Sequence, residues 1–201
     1  MAHSQEEVRN KILEETEKLF RHYGYAKTTI ADISEACGMS SANIYRFFPS
    51  KSVLTEAICS KVINGIEQHL REVAHSSGTA SERLVKFIQV MYQSTLENLL
   101  DNRKVHELVV FAMTEQWLTL RTHLEHIVEL YADIIRDGVA SGEFPPCDVA
   151  RAAKAAQSAA VTLCHPEVVA LKLDDEDRST PEEIAALIIN ALKNGATVLK
   201  A

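Results

Sequence analysis

Apolar residues fall at helical intervals along almost the whole chain, and no stretch keeps the two-residue alternation of a strand. Ser4 and Glu7 have the spacing of a capping box. Val8, Ile12, Leu19, Phe20 and Tyr23 then recur in helical step until Gly24, which predicts a first helix. Thr29 with Asp32 opens a second, short helix with Ile30, Ile33 and Ala36 on one face, and Gly38 follows as its C-terminal residue. Ser40 caps a third from Ser41 to Phe48, stopped by Pro49. Ser50 caps a far longer fourth, whose stripe of Leu54, Ile58, Val62, Ile66, Leu70 and Val73 runs to about His75.

Past a turn at 75–79 only helical periods appear. Leu84, Phe87, Ile88, Met91, Tyr92 and Leu96 mark one helix, and a shorter one covers roughly Lys104 to Thr114. A long helix from about Gln116 to Ala140 ends at Ser141 and Gly142. Asp148 opens an alanine-rich helix ending near His165 and Pro166. Thr180, Pro181 and Glu183 combine a capping box with proline at the first helical position, so a last helix runs to about Leu192 or slightly beyond. The acidic link 172–179 reads as a solvated loop. The fold class is therefore all-α, with a three-helix N-terminal domain over residues 1–50 and a larger helical domain over 51–201, joined by the fourth helix.

Composition narrows the function classes. The chain is 46% hydrophobic and 24% charged with seven glycines and five prolines, as in a soluble helical protein. No apolar run approaches the roughly 18 residues that cross a bilayer, and the start lacks a signal-peptide core, so a cytoplasmic protein without membrane partner is expected. Cys37, Cys59, Cys147 and Cys164 are widely spaced, which suggests buried free thiols rather than a zinc site or disulfides. There is no glycine-rich phosphate loop, nucleophile motif or clear metal set, so neither an enzyme nor a cofactor is expected. Net charge is −7, unfavourable for nucleic acid, yet seven Lys/Arg balance seven Asp/Glu from Met1 to Lys51. An acidic body is joined to a neutral head.

Two short helices joined by Gly38, Met39 and Ser40 make a helix-turn-helix, because the glycine-assisted turn sets them near a right angle. Ile30, Ile33, Ala36, Ile44 and Phe48 are expected to pack on the first helix. The opposite side of the third helix, Ser41, Ala42, Asn43, Tyr45 and Arg46, is small and polar enough for a major groove about 12 Å wide. Free backbone N–H groups at Thr29 and at Ser50 and Lys51 suit phosphates.

The segment TTIADISEACGMSSANIYRFFPSKSVL, Thr28 to Leu54, placed after Tyr23-Gly24-Tyr25, resembles the tetracycline-repressor (TetR) family of bacterial transcriptional regulators. The resemblance is close over about 55 residues and extends to the rest in length and layout. It implies backbone contacts by Thr28 or Thr29, Tyr45 and Lys51. The candidate DNA-binding set is Lys27, Thr28, Thr29, Ser40, Ser41, Ala42, Asn43, Tyr45, Arg46 and Lys51. Two positions depart from the family pattern: Ser41, where lysine is frequent, and Phe47, where histidine or tyrosine is frequent. Phe47 has no phosphate donor, and Arg46 either compensates in charge or reads a guanine edge.

For the larger part the resemblance implies a ligand-receiving and dimerising domain. Met91, Tyr92, Met113, Trp117, His123, Tyr131, Cys164 and His165 are the candidate ligand-binding residues, although each position also suits core or surface. His123, His126 and Glu129 have the step of a metal-binding helix face, but a solvated face is the simpler expectation. The alanine run 152–160 and the stripe Ile184, Leu187, Ile188 and Leu192 suit a four-helix homodimer interface, with burial inside the monomer as the alternative. The expected function is a dimeric regulator, in this family usually a repressor, that binds double-stranded DNA at a near-palindromic operator and is released by a small-molecule effector. A small-molecule-binding or partner-docking protein whose helix-turn-helix no longer reads DNA remains the alternative.

Overall fold

The structure, a computed structural model, describes residues 4–100 and 118–195. Among them the order is α1 (Gln5–Tyr23), α2 (Ile30–Cys37), α3 (Ser41–Phe47), α4 (Lys51–Ala74), α5 (Ala80–Leu100), α6 (Leu118–Ala140), α7 (Val149–Cys164), α8 (Pro166–Leu171) and α9 (Pro181–Lys193), with no strand. The helix expected over 104–114 lies outside the described residues. The six-residue α8 has no counterpart in the periodicity, because a proline-initiated helix of fewer than two turns is too short to show one.

The caps form where the polar residues predict them. Ser4 and Glu7 close a reciprocal box on α1, Thr29 and Asp32 on α2, and Thr180 and Glu183 on α9. Ser50 Oγ accepts the Val53 N–H at 3.1 Å at the start of α4. Gly38 ends α2 in the left-handed region at φ 66°, where a side chain is strained, and its N–H reaches the carbonyls of Ser34 and Glu35.

Two compact units divide within α4, one comprising Met1–Ile63 and Asn98–Leu120, the other Asn64–Glu97 and Arg121–Ala201. In the first, α1, α2, α3 and the start of α4 share a core of Ile12, Leu13, Phe20, Ile33, Cys37, Ile44, Phe48, Leu54, Ile58 and Cys59. Burying each large apolar side chain of this kind contributes about 1.5–3 kcal/mol. The expected inward position Ala36 is instead exposed, and Cys37 is buried in its place. A helix of eight residues tilts its apolar face by one position when the larger side chain fills the gap better.

In the second unit Phe87, Tyr131, Ile134, Ile135 and Phe144 lie at the centre of a larger core. Phe144 packs so closely on Gly138 that an added Cβ would come within 2.3 Å of its ring. The Glu143 carboxylate accepts the backbone N–H groups of Ala80 and Ser81 at 2.7 and 3.0 Å, which caps α5 from the far end of α6. Buried Arg83 donates to the Ala74 carbonyl and to Asp137, at 2.7 and 2.9 Å. The segment 172–179 is irregular, as its composition predicts.

Candidate nucleic-acid interface and ligand site

The outward side of α3 is set by the inward one. Ile44 is fully buried and Phe48 nearly so, which fixes the rotation of a seven-residue helix that could not hold itself in water. That rotation leaves Tyr45 48% exposed, with Ala42 and Arg46 also exposed and Ser41 and Asn43 half-buried. Arg46 lies over the Phe47 ring, 5.3 Å from its centroid, so the residue that cannot bind phosphate instead supports the neighbouring cation. Ser41 Oγ sits 3.2 Å from Ser34 Oγ, tying the start of α3 to α2. Ser40 Oγ accepts the Asn43 N–H and is occupied as a cap.

The paired threonines separate in role. Thr28 is buried and donates its hydroxyl to the Gly24 carbonyl at 2.8 Å, so its side chain faces inward. Thr29 is exposed at the N-terminus of α2, with its hydroxyl and N–H both on Asp32, so the N–H expected to be free for a phosphate is taken up by the capping box. Those two donors hold the Asp32 carboxyl below its usual range. Lys27 is exposed.

Lys51 is better positioned than its place in the sequence suggests. Its ammonium donates to the Tyr25 carbonyl and lies 4.1 Å from the Tyr25 ring centroid. Burial lowers its pKa, and the charge of Asp32 opposes that. Tyr25 carries no local signal of this role, since Tyr23-Gly24-Tyr25 reads only as the end of a helix. Only the return of α4 past that turn reveals it as a clamp on the lysine.

In the second unit the expected ligand-binding residues are partly gathered. Tyr131 is fully buried, its hydroxyl donates to the Met91 sulfur at 3.7 Å, and its ring meets Phe87 edge-on at 4.8 Å. Burial raises the Tyr131 pKa, and the neighbouring Cys164 adds to the rise. The Cys164 thiol donates to the Ala160 carbonyl at 3.3 Å and is pushed up to about 11 by burial, so it is not a reactive thiolate. Thr95 donates to the Met91 carbonyl at 3.0 Å and lies 3.5 Å from that of Cys164. His165 Nδ1 is buried without a hydrogen-bond partner. Tyr92 lines a cleft with Leu163, Val169, Thr162, Lys172 and Arg178. Met113 and Trp117 lie outside the described residues.

His123 stands apart from that group. It and His126 meet the carboxylate of Glu67 on α4, while Glu129 is exposed. Among the described residues no three His, Cys, Asp or Glu side chains are grouped so as to hold a metal ion, and no helix is long and apolar enough to cross a membrane.

A short helix held by its apolar side after a glycine turn, its polar side open, defines a helix-turn-helix protein with a separate helical body. Residues 12–58 match the family described as bacterial regulatory proteins, tetR family, and residues 80–185 match the tetracyclin repressor-like C-terminal domain. The chain belongs to the TetR family of transcriptional regulators.

It is 21% identical over 145 residues to the transcriptional repressor KstR2 of Mycobacterium tuberculosis, covering 69% of this chain and 70% of that protein. Over 71 residues it is 34% identical to the regulator TtgR of Pseudomonas putida, covering 35% of this chain and 33% of that one. A solved TetR/AcrR-family regulator from Thermobifida fusca is 26% identical with a TM-score of 0.61, covering 93% of this chain and 97% of that one. A regulator from Cytophaga hutchinsonii gives 25% and 0.65, covering 94% and 97%. The fold is also that of FadR from Bacillus subtilis, solved with stearoyl-CoA, at 16% identity and a TM-score of 0.60 over 92% of this chain and 98% of that one.

Proposed function

We propose that this regulator is a homodimeric repressor whose residues 1–50 bind a near-palindromic operator and whose residues 51–201 receive a small-molecule effector that releases it. The observation that carries the reading is the exposed side of α3, Ala42, Tyr45 and Arg46, held in place by buried Ile44 and Phe48. Arg46 is the candidate for a base edge, and Tyr45 and Lys51 are candidates for phosphates. Thr28 and Thr29 are set aside, because the Thr28 hydroxyl is spent on the Gly24 carbonyl and the Thr29 hydroxyl and N–H on Asp32.

On the effector side, the cleft lined by Tyr92, Thr162, Leu163, Val169, Lys172, Arg178 and Ser179 is the candidate entry, next to the buried Met91 and Tyr131 pair and near Cys164. That lining, apolar at Leu163 and Val169 and cationic at Lys172 and Arg178, suits an effector with an apolar part and an acidic group. An effector of this kind releases DNA only by binding the DNA-incompetent state more tightly. This reading places the protein in the cytoplasm, with its DNA.

Selection of sites from a random DNA library with purified protein, followed by gel shifts at several salt concentrations, tests the reading. The expected result is a two-fold symmetric site with half-sites about 34–36 Å apart and affinity that falls steeply with salt. Failure to enrich any sequence, with salt-independent binding to bulk DNA, would overturn it in favour of a protein that no longer reads DNA.

A further inference from the structure

One side-chain cluster in the second unit is not absorbed by DNA or effector binding. Glu67 of α4 receives two imidazoles from α6, His123 Nδ1 at 2.8 Å on Oε1 and His126 Nδ1 at 3.1 Å on Oε2. The two histidines are three residues apart and so share one helix face. An ionised carboxylate only accepts hydrogen bonds, so each Nδ1 carries a proton and both oxygens are used. The side chains of Glu67 and His123 are 12% and 16% exposed, whereas His126 is 39% exposed. Two of the three partners are thus largely removed from water.

This arrangement is sensitive to proton number. With both imidazoles neutral the cluster carries one negative charge, and a first proton cancels it. A second leaves two imidazolium ions around one carboxylate, with net positive charge in a half-dry site. We propose that Glu67, His123 and His126 form an acid-sensitive clasp that fastens α4 to α6 at neutral pH and opens as the pH falls.

The ionisable groups acting on His123 are Glu67 from α4 and His126 from its own helix. From α7, uncharged Gln157 reaches the neighbouring Leu124 carbonyl at 3.1 Å. Burial pulls the His123 pKa below the ordinary imidazole value of 6.5, and this outweighs the raising effect of Glu67. In the opened form His123 recovers its ordinary affinity for protons, so opening takes one up. The clasp's contribution is complete above about pH 6.5 and is lost as pH falls toward the depressed value. Leu70 and Val73 of α4 and Ile127 and Leu130 of α6 belong to the same core, so opening exposes apolar surface there.

The test uses the full-length protein. Imidazole nitrogen NMR should show His123 as the Nδ1–H tautomer titrating below 6.5, and titrating lower still in Glu67→Gln, which removes the charge that favours protonation. Amide exchange at 64–70 and 121–127, corrected for intrinsic pH dependence, should rise by up to about tenfold per pH unit below 6.5. His123→Asn keeps a donor near the Nδ1 position but cannot titrate, and it should flatten that rise. A His123 that titrates at or above 6.5, a titration unmoved by Glu67→Gln, or an unchanged rise in His123→Asn would each overturn the clasp. None of these readouts depends on DNA.

Discussion

Lys51 shows how a single side chain gains a role from its surroundings. A lysine at the start of a helix is ordinarily a mobile point charge, but the Tyr25 carbonyl and ring hold this one in place. The entropy of placing it beside a phosphate is thereby partly met before DNA arrives. Lys51→Met keeps the stem and removes the charge. In a salt series it should lower the log–log slope of DNA binding by about 0.9, one phosphate's share, and weaken all sequences alike. A slope equal to that of the unaltered protein would remove Lys51 from the interface. The residue scale is also where the sequence was least legible. Thr28 and Thr29 are indistinguishable by type, and only the Gly24 carbonyl decides that Thr28 turns inward. Ala36 and Cys37 are adjacent, and packing decides which is buried. Tyr25 acts on Lys51 across 26 positions, a relation no local pattern contains.

Elements were far more legible, because their determinants are local. The boxes at Ser4, Thr29 and Thr180, the proline at 181 and the left-handed Gly38 each act within four residues of the helix end they set. Gly38 isolates one such determinant. An added Cβ would meet nothing within 4 Å, so the cost of Gly38→Ala is that of placing alanine at φ 66° alone, about 1 kcal/mol. Amide exchange within α2 and α3 should accelerate about fivefold, and Gly38→Asn, which tolerates the left-handed region, should do so less. Equal exchange in the alanine variant would mean that the turn relaxes to another conformation. The pattern failed at α8, which has fewer than two turns, and the apolar stripe of α9 could not say on its own which neighbour it faces.

At the scale of the whole molecule, that last ambiguity bears on assembly. The alanine run and the α9 stripe suit either a partner subunit or burial inside the monomer, and much of both is spent within the chain. Ala152, Ala153, Ala156 and Ala160 are buried on α7, as are Ala185, Ile188 and Leu192 on α9, and the two helices pack together. What remains outside is the opposite face: Val161 is 45% exposed beside exposed Ala155 and Ser158, and Leu187 is 62% exposed between Ala186 and Asn190. A dimer formed by these helices must therefore use Val161 and Leu187 rather than the alanine ridge. Small residues around two apolar anchors allow close approach, and an isologous interface would present each anchor twice. Leu187→Glu places two like charges in that contact without disturbing the buried face. Sedimentation should shift from dimer to monomer by at least about tenfold in dissociation constant, with the helical content unchanged. On operator DNA the same variant should occupy half-sites independently and show about half the salt slope, since each monomer then neutralises only its own phosphates. A variant that stays fully dimeric would place the partner on another surface, and the spacing of the two recognition helices would have to be derived from that one instead.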